Sequence, residues 1–211
     1  MQFSTLKNRL KGFTVFSMME IKKIDSCFHK QRLSEWQNKG YIKKVRRGYY
    51  IFSDLQISEQ VLFVIANTIY QPSYISLEMA LSLYGLIPES VYGVTSITSL
   101  KTINFKTSLG DFIYRSVKPD LMFGYELREI SGDGNSGGQK YGLAEMEKAV
   151  LDFLYLNPHI KNLADFEGLR FNVLQFKETA NMAKFQKYLE AFNSKALSLR
   201  VSEFIKFIEY A

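Results

Sequence analysis

The chain has 211 residues and a mass of 24.4 kDa, with 27 Lys and Arg against 21 Asp and Glu for a net charge of +6. At 46% hydrophobic and 15% aromatic residues it can bury a sizeable core, which excludes a disordered chain. One cysteine, Cys27, excludes a disulfide framework and a Cys-based zinc finger, and two histidines, His29 and His159, exclude a His-rich metal site.

Leu6 and Leu10, four apart, predict a short helix over 5–11 that ends at Gly12. Phe13-Thr14-Val15-Phe16 is a short β-prone run. Ser17 with Glu20 three residues on fits a capping box, opening a helix to about residue 23. Asp25-Ser26 offers another N-cap, predicting a helix that runs to about residue 39 with Gly40 as its C-cap. In that helix Leu33 and Trp36 point inward, with Phe28 or His29 one turn above. Lys30, Gln31, Ser34 and Glu35 lie mostly outside and Arg32 near the edge. His29 reads as a packed side chain and Cys27 as a small filler near a helix start. Two strands follow, over 41–45 and 49–52, joined by the corner Arg46-Arg47-Gly48.

Beyond this point Val61, Leu62, Ile65 and Ile69 recur at helical spacing over 57–70, stopped by Gln71-Pro72. A helix from Ser76 to Tyr84 ends at Gly85. Strands are expected over 94–98, 103–107, 112–117 and 123–127, suggesting a small, largely antiparallel sheet. Residues 131–138 (SGDGNSGG) read as a loop or hairpin tip. A helix over 142–156 and two closing helices, about 177–193 and 197–210, complete the chain.

The charge is unevenly spread. Residues 1–53 hold twelve Lys and Arg and three acids, a balance of +9; residues 54–211 hold fifteen bases and eighteen acids, a balance of −3. Three short helices and a basic hairpin follow the winged helix-turn-helix plan. In that plan the third helix enters the major groove and the hairpin lies on a phosphate backbone. Lys30, Gln31, Arg32 and Ser34 are then the candidates for base readout, and Lys43, Lys44, Arg46 and Arg47 for phosphate contact. The expected architecture is α+β: a winged helix-turn-helix DNA-binding domain over 1–53, then a mixed domain over 54–211 with the small sheet and C-terminal helices.

Enzyme signals are weak. Residues 132–137 spell G-x-G-x-x-G, but no apolar helix opens directly from them, and the acid about twenty residues on, Asp152, lies mid-helix and not at the end of a following strand. Pro119-Asp120 with Glu126-Leu127-Arg128 is a short-gapped version of a restriction-type metal site, with Arg in place of Lys. Glu145 and Asp152 share one helix face, with Glu147 elsewhere, and read as solvated acids. No catalytic residue, metal site or cofactor is expected, and a small metal-dependent nuclease on Asp120 and Glu126 is the alternative. No apolar run has the length of a membrane span, and the opening MQFSTLKNRLKGF has no apolar signal-peptide core. A cytoplasmic protein with no membrane partner is therefore expected.

Four ordered motifs carry a family resemblance. They are Lys39-Gly40-Tyr41-Ile42-Lys43-Lys44-Val45-Arg46-Arg47-Gly48-Tyr49-Tyr50; residues 73–81 (SYISLEMAL) with Tyr84-Gly85-Leu86-Ile87-Pro88; Val94-Thr95-Ser96; and residues 144–152 (AEMEKAVLD). Together, over about 13–155, they resemble AbiEi-type antitoxins of type IV toxin–antitoxin, or abortive infection, systems. The resemblance implies an N-terminal winged helix that represses its own operon at inverted repeats in double-stranded DNA. It also implies an antitoxin domain that counters a nucleotidyltransferase-like toxin, with direct toxin binding not required. It brings no catalytic motif.

Overall fold

The computed structural model describes residues 1–88, 93–130 and 139–210. Among these residues ten α-helices and two sheets form a mixed α/β architecture. Helix α1 (Phe3–Arg9) buries Leu6, and strand β1 is cut to Phe16–Ser17. Ser17 caps α2 (Met18–Ile24). Its hydroxyl accepts the Met19 N–H at 3.0 Å, and the Glu20 carboxylate accepts the Ser17 N–H at 2.7 Å and its hydroxyl at 2.6 Å. Partial burial raises the Glu20 pKa, but the hydrogen bonds from Ser17 outweigh it and hold the group below the ordinary carboxylate value. A lowered carboxylate stabilises the fold fully above its unfolded pKa, and that contribution is lost as pH falls through the folded one. Ser17→Ala is therefore expected to cost about 1 kcal/mol in urea denaturation at neutral pH and less in acid.

The helix expected from Asp25 begins instead at Gln31. Asp25 caps only a turn, accepting the Cys27 N–H at 3.1 Å, and α3 spans Gln31–Asn38. In one continuous helix Phe28 and Trp36 would stand about 12 Å apart along the axis. The turn brings their rings to 5.4 Å, buries Phe28, and leaves Cys27 and His29 exposed. Helix α3 ends in a Schellman motif: Tyr41 N–H donates to Trp36 C=O and Gly40 N–H to Gln37 C=O, both at 2.9 Å, with Gly40 at φ +71°. Strands β2 (Ile42–Arg46) and β3 (Tyr49–Phe52) form an antiparallel hairpin, and β3 also pairs with β1, in the order β1-β3-β2. Leu6, Phe16, Ile21, Leu33, Trp36 and Phe52 belong to one local core.

Helix α4 (Glu59–Ile69) leads to β4 (Ser73–Ile75), α5 (Leu77–Leu83), β5 (Gly93–Thr98), β6 (Ile103–Thr107) and β7 (Gly110–Ser116). A 3-10 turn (Pro119–Leu121), β8 (Tyr125–Glu129), β9 (Lys140–Ala144) and α6 (Met146–Leu156) follow. The six strands form one sheet in the order β6-β7-β5-β4-β9-β8. β5–β7 and β4–β9 are parallel and the other pairs antiparallel, so the sheet is mixed and not largely antiparallel as expected. The expected helix over 142–156 begins four residues late because residues 140–144 pair as β9, and Glu145 is the N-cap of α6.

Four helices close the chain where two were expected: α7 (Leu163–Gly168), α8 (Val173–Thr179), α9 (Met182–Phe192) and α10 (Lys195–Tyr210). Asn162, Asn172 and Asn181 cap α7, α8 and α9 through their side-chain oxygens. Helix α4 packs on β4, β5 and β9, and α6 on α5, α9 and α10. Val15, Val45 and Ile51 join this larger core. The expected boundary at residue 53 thus separates two sets of elements but not their apolar contacts.

Candidate functional site

The eight basic and polar side chains singled out in the first 53 residues divide into two groups. Lys30, Gln31 and Ser34 at the start of α3, and Lys43, Lys44 and Arg47 on the β2–β3 hairpin, are exposed. None of these four cations makes an ion pair with a described residue. Gly48, at φ +89°, closes the hairpin corner beside Arg47.

Arg32 and Arg46 are placed differently from expectation. Arg32 donates from Nη1 to the Met1 carbonyl at 2.6 Å and lies over the Trp36 ring at 5.9 Å. The pairing of β2 with β3 is irregular between Lys44 and Arg46, and such a bulge re-aims the side chain beyond it. The Arg46 guanidinium turns from the hairpin surface onto the body of the molecule. It donates to the Ile69 carbonyl at 2.8 Å and sits 4.2 Å from the Phe105 ring centroid, with Tyr49 and Tyr70 at 5.5 and 6.0 Å. A phosphate-contact role for Arg46 is replaced by one that locks the hairpin to α4 and β6. A cleft of about 450 Å³ opens beside it, lined in part by Phe13, Glu20, Tyr49 and Tyr70. Arg46→Ala is expected to lower stability by about 1–3 kcal/mol, through one charge-assisted hydrogen bond and the ring contacts. Thermal denaturation of the full chain checks it.

Of the three acids expected to be solvated, Glu147 and Asp152 are buried and Glu145 is half-buried. Asp152 and Lys148 of α6 are both fully buried and form an ion pair. Asp152 also accepts the Tyr74 hydroxyl at 3.0 Å and the Ser76 hydroxyl at 2.9 Å, and Lys148 donates to the Tyr74 oxygen at 2.8 Å. The ammonium lies 4.9 and 4.8 Å from the Phe123 and Phe192 rings. Burial pushes the Asp152 carboxyl up and the Lys148 ammonium down, while their attraction opposes both shifts. Burial, then the Asp152 charge, raises the Tyr74 phenol well above its ordinary value. The cluster ties β4 to α6, and its polar groups satisfy one another.

The other two acids also have partners. Glu147 accepts the Asn181 N–H at 2.7 Å. Glu145 accepts from the Tyr188 hydroxyl and pairs with Lys184 at 3.2 Å. Burial, followed by the Glu145 contact, pushes the Tyr188 phenol up to about 12.

Of the nuclease candidates, Asp120 lies in the 3-10 turn, and the Glu126 carboxylate is held at 2.6 Å by Arg128 on the same strand. No three His, Cys, Asp or Glu side chains cluster as a metal site among the described residues. The glycine-rich motif at 132–137 lies outside the described residues. Among the described residues, no helix is long and apolar enough to cross a membrane. No protein-family model matches the chain, and no curated protein matches it.

Proposed function

We propose that the protein is a DNA-binding transcriptional regulator of the AbiEi antitoxin type, acting in the cytoplasm without catalysis or cofactor. The order α1-β1-α2-α3-β2-β3 with a three-stranded antiparallel sheet supports reading residues 1–53 as a winged helix-turn-helix. The observation that carries the proposal is the unpaired, exposed set Lys43, Lys44 and Arg47 on one hairpin of a segment with a balance of +9. In this reading the hairpin cations hold backbone phosphates, while Lys30, Gln31 and Ser34 face base edges. The larger body, with its opposite charge balance, counters a nucleotidyltransferase-like toxin.

Gel-shift titration with the duplex upstream of the protein's own gene tests the DNA half. Binding that weakens steeply with salt is expected, and equal affinity for unrelated duplexes rejects operator recognition. Co-expression with a nucleotidyltransferase-like toxin tests the other half by rescue of growth.

A further inference from the structure

We infer that strand β8 is a self-pairing edge, through which two copies of this chain join their sheets into one. β8 closes one end of the six-stranded sheet, and all five of its residues are exposed. Its partner on the inner side is β9, with Gly124 C=O accepting from Glu145 N–H at 2.9 Å and Ile130 N–H donating to Gln139 C=O at 3.2 Å. Antiparallel strands alternate their hydrogen-bonding direction, so the even-numbered residues face β9. Tyr125, Leu127 and Glu129 therefore aim their N–H and C=O groups outward. No backbone hydrogen bond joins these outward groups to a described residue. Such a row of groups is a template for another strand.

The residue order selects a second copy as that strand. Antiparallel pairing about a two-fold axis through Leu127 sets Leu127 opposite itself, Tyr125 opposite Glu129, and Glu126 opposite Arg128. The outward-facing residues then fall on the hydrogen-bonded pairs of the new ladder. Both Glu126–Arg128 pairs fall on the closer, non-hydrogen-bonded positions and bring unlike charges together. In one copy Arg128 already bonds Glu126 from Nε and Nη2, so both side chains share the face that the pairing requires. A parallel or one-residue-shifted alignment loses this complementarity. The inference is independent of the DNA-binding reading.

Sedimentation of the full chain is expected to show a concentration-dependent dimer. Leu127→Pro removes one outward N–H without touching the β9 ladder and is expected to abolish the dimer. Glu126→Arg and Arg128→Glu each set like charges opposite one another, and each alone is expected to raise the dimer Kd by about tenfold or more. Mixing those two single variants restores complementarity, so a heterodimer is expected at near wild-type affinity. A wild-type chain that stays monomeric at its highest soluble concentration overturns the inference. So does a dimer that survives both single charge changes.

Discussion

Lys148→Ala is expected to lower the unfolding free energy by about 3–5 kcal/mol, because it leaves the fully buried Asp152 carboxylate without its cation. A loss of that size is a large share of the stability of an ordinary domain. The Tyr74 and Ser76 hydroxyls would still donate to Asp152, but neither supplies charge. Replacing both partners together, Lys148→Met with Asp152→Leu, removes the uncompensated charge and is expected to recover much of the loss. Urea denaturation of the two variants beside wild type decides the matter. If the single change costs no more than about 1 kcal/mol, as an exposed ion pair would, the buried network has been misread.

Combined Lys43→Ala, Lys44→Ala and Arg47→Ala is expected to flatten the dependence of log K on log salt by about 2 to 3 units, since each phosphate contact contributes about 0.9. Arg46→Ala is expected to leave that slope unchanged, because its guanidinium is held by the Ile69 carbonyl and the Phe105 ring. The contrast separates charge on the hairpin surface from charge used to dock the hairpin. Equal effects of Arg46→Ala and the triple change would reject this division, and an unaltered slope in the triple variant would reject the phosphate role. Circular dichroism keeps loss of fold distinct from loss of contact.

The arginine contrast also marks where sequence reasoning stopped. Arg46 and Arg47 are chemically identical neighbours on a basic corner. An irregular pairing between Lys44 and Arg46, together with the nearby ring of Phe105, sends one inward and leaves the other exposed. Lys148 and Asp152 posed the same difficulty in reverse. In the sequence Asp152 read as a solvated acid on the helix face of Glu145, and nothing singled out Lys148 four residues before it. The available signal was the apolar run around them, Val150, Leu151, Phe153 and Leu154, since a helix that is apolar on all sides is buried.

By itself the sequence determined the features whose causes lie within a few residues. The Ser17–Glu20 capping box, the Gly40 helix end, the hairpin corner at Gly48 and the helical stripe of α4 are all of this kind. Each depends on one turn of backbone geometry and the side chain that satisfies it. Tertiary structure alone decided which strands pair and which charges are buried. Ile75 finds Leu143 in a parallel pair, and Tyr74 meets Lys148 and Asp152 from a distant strand. Three residues of β4 are too few to show a period, and β9 merges with the apolar run of the next helix. Their pairing free energy comes from contacts that local periodicity does not record.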